Sequence, residues 1–338
     1  MNLRDFWYVA AESRALRRGA VAARVILGEH LVLFRDRAGN AVALEDRCVH
    51  RNAPLSIGKL RDGTLVCGYH GWRYDGDGRV IEIPSLVESG PPHSRCAKRF
   101  DVREREGYVY VRLEAKPDEE HAPFAMPMFG APGWSRVRLV NAMANDVTNC
   151  AENFVDVPHT AYVHPRTFRA PRRRVLQADI VRENGAVTVT YRDEVHRGAF
   201  AWFLNPGGRA VEHVDRFVMP NITSVEYRFG PRRRLFITSQ SVPAGAMETL
   251  VYTDIAFDYG VWNALARPFV ARRARRIIAE DVAVLAAQGE VIARAGRSFS
   301  HSPIDQVHIF IEQIRGELEN GRDPRRLERQ ARTVAFTV

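Results

Sequence analysis

Lysine is nearly missing from this 338-residue chain. Lys59, Lys98 and Lys116 are all there is, so the net charge of +9 is carried by arginine. An excess spread along the whole chain is a compositional habit. The runs at Arg172-Arg173-Arg174, Arg232-Arg233-Arg234 and Arg272 to Arg276 lack the interleaved aromatics on which bases stack, and nucleic acid is not an expected partner. A basic face that steers an acidic electron donor suits the charge better. Cysteine is scarce as well. The four residues Cys48, Cys67, Cys96 and Cys150 make no disulfide framework, which points to a reducing, cytoplasmic setting. No uninterrupted apolar run approaches a membrane span, and the N-terminal residues have no apolar signal core, so no membrane association is expected. There is no internal repeat, no low-complexity segment, and no glycine-rich dinucleotide fingerprint or flavin signature, so the chain does not itself oxidise a nicotinamide. What remains, 46% hydrophobic and 26% charged, is ordinary globular composition, long enough for two domains.

Against this sparse background two of the four cysteines stand in a pattern. Cys48-Val49-His50 is followed, after sixteen intervening residues, by Cys67-Gly68-Tyr69-His70. Zinc also accepts two Cys and two His, so the ligand set alone does not name the metal. A zinc finger, however, puts both cysteines in one half and both histidines in the other. Here each half offers one of each, and two matching loops can clamp a 2Fe–2S cluster in which two imidazoles replace two thiolates on one iron. The segments Cys48 to Leu55 and Cys67 to Asp75 resemble the two cluster loops of Rieske proteins. High-potential members of that family carry an extra disulfide-forming Cys in each loop, where this chain has Ala53 and Tyr69. Trp72 stands where they place a serine that bonds a sulfide. Fewer hydrogen bonds stabilise the reduced cluster less, so the resemblance implies a low potential.

Around these loops, to about residue 115, the chain reads as short strands and turns. Val25 to Phe34 and Ala41 to Glu45 flank the turn Asp36 to Asn40, and Tyr108 to Leu113 closes the unit. The polar, proline-containing segment Lys116 to Pro127 reads as a linker, which gives domains at 1–118 and 119–338. Beyond it a helix is expected over Asn149 to Val163. Strands follow at Ala186 to Tyr191, Ser224 to Phe229, Arg234 to Gln240 and Thr249 to Phe257, then a long helix from Trp262 to Ala295 and a last one from Pro303 to Asn320. Strands followed by a long helix predict an α+β domain, an antiparallel sheet covered by helices.

The second domain carries its own constellation, Asn153, Asp156, His159 and His164. Asp156 and His159, three apart, would share a helix face. His164 falls partly off that face, and Pro158 permits local distortion. Two imidazoles and a carboxylate on one short segment suit a divalent metal. A Rieske domain, a linker and then this N-F-x-D-x-x-H-x-x-x-x-H run resemble the catalytic component of Rieske-type non-haem iron oxygenases over nearly the whole chain. That family is expected to be all-β at its N-terminus and helix-grip-like in its catalytic domain. It holds Fe(II) with two His and one carboxylate, leaving positions for O2 and substrate.

For that carboxylate the long helix offers Asp281, with Ile277 four before it and Val284 and Leu285 three and four after. It sits mid-way on the apolar face, where an unpaired carboxylate is costly and a metal would remove the cost. The family's Glu-Asp pair supports the same choice. Glu280 is read as solvated, pointing towards Arg276. The resemblance gives Asp156 a different task, linking His159 to His70 of a neighbouring copy, and so implies a homotrimer. It makes Asn153 a polar neighbour of the iron. Cys96, Cys150, His30, His93, His121, His196, His213, His301 and His308 have no ligand spacing and read as structural or solvated. The expected activity is hydroxylation or oxidative demethylation of a small aromatic organic substrate by O2. Electrons would come from NAD(P)H only indirectly, through a partner reductase with or without a ferredoxin. The substrate cavity is expected between sheet and long helix, with Phe217, Met219, Asn221, Phe236 and Trp262 as candidates to face it. The rival reading is a Rieske electron carrier whose second domain only docks partners. A zinc protein is third.

Overall fold

The computed structural model describes residues 1–87, 95–114, 122–165, 175–194, 211–230 and 233–337. His93, His121, His196, the run Arg172 to Arg174, Arg232 and residues 116–121 of the proline-containing segment lie outside the described residues. Two compact units are present. One comprises Arg4–Ala125 with Pro243–Gly245. The other comprises Met1–Leu3, Met126–Val242 and Ala246–Val338.

The first unit is built of strands β1 (Trp7–Glu12), β2 (Ala22–Ile26), β3 (Glu29–Arg35), β4 (Ala41–Glu45), β5 (Lys59–Arg61), β6 (Thr64–Val66), β7 (Arg73–Tyr74), β8 (Val80–Glu82), β9 (Arg99–Arg105) and β10 (Tyr108–Arg112). They form a six-stranded sheet in the order β1-β10-β9-β4-β3-β2 and a four-stranded sheet β5-β6-β7-β8. The hairpin expected around Asp36 to Asn40 is there, closed by Asp36 N–H donating to Asn40 O at 3.0 Å and Gly39 N–H to Asp36 O at 3.0 Å. Val32, Phe34 and Leu44 from the larger sheet and Leu65 and Tyr74 from the smaller one bury their side chains in one core that also takes in Cys48 and Cys67. The two loops that carry those cysteines therefore start from packed elements, which fixes where each sulfur points.

The second unit is an eight-stranded sheet of β11 (Ser135–Met143), β12 (Val175–Glu183), β13 (Ala186–Glu194), β14 (Val211–Val218), β15 (Ile222–Phe229), β16 (Arg233–Gly245), β17 (Glu248–Asp258) and β18 (Gln330–Thr337), in the order β11-β17-β16-β15-β14-β13-β12-β18. The middle is a meander from β12 to β17, with the first and last strands added at opposite edges. The helices are α1 (Val147–Asn153), α2 (Thr160–Val163), α3 (Asn263–Ala295) and α4 (Gln306–Glu319). The α+β architecture is the one expected. The single helix expected over Asn149 to Val163 is instead two short ones. Pro158 lacks the N–H a continuous helix needs there, and the chain turns between Phe154 and His159.

Helix α3 buries Ala266, Val270, Ala274, Ile278, Asp281, Leu285 and Gly289, spaced three or four apart along one stripe. Gly289 sets the approach of this helix to the end of β11, because a Cβ there would lie 2.1 Å from Ala144 O. Asp281 is the one charged side chain on the stripe.

Candidate metal centres

The two cysteine loops have the same backbone wiring. Cys48 N–H donates to Ala53 O at 2.8 Å and Asn52 N–H returns to Cys48 O at 2.9 Å. Cys67 N–H donates to Trp72 O at 2.8 Å and Gly71 N–H returns to Cys67 O at 3.1 Å. In both loops the fourth residue after the cysteine is in the left-handed region, Asn52 at φ 57° and Gly71 at φ 73°. The loops thus present Cys48 with His50 and Cys67 with His70 as two halves of one site. The imidazole rings lie 4.6 Å apart, edge to face, and Trp72 stacks on His50 at 4.6 Å. The Cys48 and Cys67 thiols are buried. His50 Nδ1 is buried with no hydrogen-bond partner, the state of a nitrogen meant for a metal. Burial, with the neighbouring His70 and Arg51, holds the His50 imidazole below its usual range, which favours the neutral ligand form. Tyr74 places its hydroxyl 3.1 Å from Cys48 Sγ and accepts from Val49 N–H at 3.1 Å. Two thiols and two imidazoles held this way fit a 2Fe–2S cluster.

In the second unit the structure brings His159, His164 and Asp281 together, with one donor atom from each within 4.8 Å of the others. His164 Nε2 is 2.9 Å from Asp281 Oδ1 and His159 Nε2 is 3.6 Å from the same oxygen. The turn at Pro158 explains how five residues of spacing work. His159 caps the start of α2 and His164 its end, where φ −117° and ψ 57° turn the chain back towards α3. Asp156 lies 3.3 Å from His159 Nδ1, outside hydrogen-bond alignment, and owes this nearness to the turn and not to a helix face. Two imidazoles and a carboxylate on one side of a cavity, with room opposite, fit a divalent iron that keeps open positions. Asn153 also lines that cavity.

Glu280 is a correction to the sequence reading. It does pair with Arg276 at 3.2 Å, but its Oε2 also meets His164 Nδ1 at 2.7 Å. Burial would raise its carboxyl, but the bonds to His164 and Arg276 outweigh this and hold it below its usual range. Consecutive acids on α3 thus address the two nitrogens of one ring. Nothing in the helical periodicity showed this, because Glu280 reaches His164 from the edge of the stripe.

The cavity, of about 120 Å³, lies between the sheet, α3 and the α1–α2 segment. None of the candidates named for it is among its lining residues. Leu235 and Ile237 line it, so Phe236 between them faces the other way, against Trp134. Trp262 is exposed before α3 begins, and Phe217, Met219 and Asn221 are not among the lining residues. The lining instead includes Val225, Tyr227, Thr253, Ile255, Val270 and Asp215. His213, read as structural or solvated, is buried and bonded to Asp215 through Nε2 at 2.8 Å. Of the others, His30 and Cys96 are exposed, Cys150 is buried, and His308 is buried beside Glu152 and 5.0 Å from His301.

Residues 6–100 match the model of the Rieske [2Fe-2S] domain, and residues 143–319 match that of the vanillate O-demethylase oxygenase C-terminal domain. The chain belongs to the Rieske oxygenase family. This family works with a Rieske cluster, a mononuclear iron and O2. Among its relatives, the toluene-4-sulfonate monooxygenase system iron-sulfur subunit TsaM1 of Comamonas testosteroni is 32% identical over 61% of this chain and 57% of its own length. The methylxanthine N1-demethylase NdmA of Pseudomonas putida is 34% identical over 50% of this chain and 49% of its own. The chain spans about half the length of the curated relatives it matches. The fold is similar to that of dicamba monooxygenase in its complex with dicamba, with a TM-score of 0.82 at 21% identity, covering 94% of this chain and 98% of that one. Among the described residues no helix is long and apolar enough to cross a membrane.

Proposed function

We propose that this chain is the terminal oxygenase component of a Rieske non-haem iron system, hydroxylating or oxidatively demethylating a small aromatic substrate. The observation that carries the reading is the convergence of His159, His164 and Asp281 on an apolar cavity, a set that an electron carrier with a docking domain does not need. The match to an oxygenase C-terminal domain supports it, and relatives named as a monooxygenase subunit and as a demethylase fit both chemistries.

In this reading residues 1–118 receive electrons and residues 119–338 perform the oxidation. Cys48, His50, Cys67 and His70 hold the cluster, and His159, His164 and Asp281 hold the iron. When bound, these groups supply single electrons and a centre for O2 reduction. The chain's own residues do the rest. Glu280 fixes the ring of His164 so that Nε2 faces the site. The apolar walls exclude water and leave one polar end to orient the substrate. Asn153 contributes a polar edge to the cavity wall. Ala53, Tyr69 and Trp72 in place of disulfide cysteines and a sulfide-bonding serine support a low potential, well below about +300 mV. Asp156 is the carboxylate that joins His159 to His70 of a neighbouring copy. Its side chain is 38% exposed and His70 is exposed, so both are open to another subunit. A homotrimer follows from that link, with a reductase or ferredoxin as donor to a basic face. A cytoplasmic setting agrees with four free cysteines.

The test is iron content and O2 uptake. Purified protein should carry about three irons per chain, and electrons with a panel of aryl ethers, N-methyl arenes and phenols should drive substrate-dependent O2 uptake. Asp281→Ala should keep the cluster absorption and lose turnover and one iron. Two irons per chain and no substrate-dependent O2 uptake would leave the carrier standing.

A further inference from the structure

Asp215 is 1% exposed, yet it is one of the residues that line the cavity. Leu235, Ile237, Ile255, Val270 and Ile278 make most of the remaining wall apolar, and a carboxylate in such a place is costly unless something holds it. His213 does so. Its Nε2 is 2.8 Å from Asp215 Oδ1, and its ring lies between those of Tyr191 at 4.3 Å and Tyr227 at 4.2 Å. The stack follows from register. Tyr191 on β13 and Tyr227 on β15 are the direct cross-strand partners of His213 on β14. Asp215 follows two residues later on the same strand and therefore on the same face. A buried acid is thus aimed at the cavity by an imidazole that two aromatic rings keep from turning.

Resting on the oxygenase reading of this cavity, we infer that Asp215 is its specificity-determining residue, selecting small aromatic substrates that present an O–H or N–H donor, with His213 as its positioning residue. A carboxylate has about four acceptor sites, and the bond from His213 takes one, on Oδ1. A phenol or an arylamine can donate to another, whereas an aryl carboxylate would bring like charge against it and a hydrocarbon would leave it facing an apolar group. Arg273 also lines the cavity and is the rival anchor, one that would favour a carboxylate. It is a long side chain, half-buried on α3, and the benzoate arm of the titration separates it from Asp215.

The experiment uses the full chain loaded with cluster and iron, under argon, and measures binding of phenol, aniline, toluene and benzoate by titration calorimetry. Phenol and aniline should bind at least about tenfold more tightly than toluene or benzoate, the discrimination expected of one satisfied buried hydrogen bond. Asp215→Leu should abolish the phenol-to-toluene ratio. Asp215→Asn keeps the shape, stands in if the leucine variant fails to fold, and should admit benzoate because its amide can donate. His213→Gln should shrink the ratio while the cluster spectrum is unchanged, an effect that a purely structural role would not produce. Benzoate binding most tightly to the wild type, or a ratio that survives in both Asp215 variants, overturns the inference. Substrate-dependent O2 uptake with no such ranking would leave the oxygenase reading standing without it. The ranking with no O2 uptake for any aromatic would do the reverse.

Discussion

Glu280 Oε2 lies 2.7 Å from Nδ1 of His164, on the opposite side of the ring from the nitrogen that faces Asp281. With iron bound, this contact would hold the imidazole in one tautomer, its proton towards Glu280 and its lone pair towards the metal. Glu280→Ala should lower iron affinity about 10–100-fold, the range for losing a carboxylate behind a metal-bound histidine. Chelator competition on the loaded protein measures this, with the cluster absorption as an internal control. Unchanged affinity would return Glu280 to the solvated ion pair with Arg276.

Gly289 governs how closely α3 lies to the rest of its unit. Alanine is the better helix former by about 1 kcal/mol, so on an exposed turn the change would stabilise. Here the new Cβ would meet Ala144 O at 2.1 Å, and backbone cannot rotate aside. Overpacking of this kind costs about 1–3 kcal/mol, and the balance is unfavourable. Gly289→Ala should lower the thermal midpoint of the second unit and loosen iron, because Asp281 sits two turns earlier on the same stripe. A raised midpoint would refute the close approach.

How much of this was legible beforehand differs by site. Cys48, His50, Cys67 and His70 lie in two short loops, so spacing alone brings them together. Asp281 could be found because a charge on an apolar stripe is an anomaly that one-dimensional periodicity detects. In the second unit β13, β15, β16, β17 and α3 followed from alternation and length, whereas β11, β12, β18 and β14, the strand that carries His213 and Asp215, drew no expectation. The break in the 149–163 helix was harder, since Pro158 was read as a distortion and not as a stop. Facing was the weakest point. Phe236 and Ile237 are neighbours in sequence and on opposite sides of β16, and only register decides which one meets the cavity. The link from Glu280 to His164, and the seat of His213 between Tyr191 and Tyr227, depend on contacts far apart in sequence.

Proton release should accompany iron loading. Burial alone would lower the His159 imidazole, but Asp156 and Asp281 outweigh it and raise it to about 9. A raised value means the charged ring stabilises the metal-free fold fully below pH 6.5, and this is lost as pH rises through about 9. Asp281 is the opposite case. Burial would raise it, the two histidines lower it, and its contribution is present above pH 3.8 and lost on acidification. Iron needs the neutral imidazole, so binding between pH 6.5 and about 9 should release a proton and tighten as pH rises. Calorimetry in buffers of different ionisation enthalpy counts the proton. A pH-independent affinity with no release across that window would show that His159 is not a ligand.

Asp156 is placed to act through His159 more than to bind iron itself. Its Oδ2 is 3.3 Å from Nδ1, the nitrogen turned away from Asp281, and its side chain is 38% exposed. Charge is what a carboxylate adds over an amide when it accepts from imidazole N–H groups on both sides. Asp156→Asn keeps the shape and loses that charge. The variant should assemble as the wild type does, retain both metals, and accept electrons from a donor at the same rate. Transfer onward should slow. In rapid mixing of pre-reduced protein with O2 and a phenolic substrate, the wild type should recover the oxidised cluster absorbance promptly, and Asp156→Asn should lag by an order of magnitude or more. Single-turnover product should fall in step, since both depend on the same transfer. A variant with lost iron instead would make Asp156 part of the iron site's support. Wild-type recovery of the absorbance would remove Asp156 from the electron path altogether.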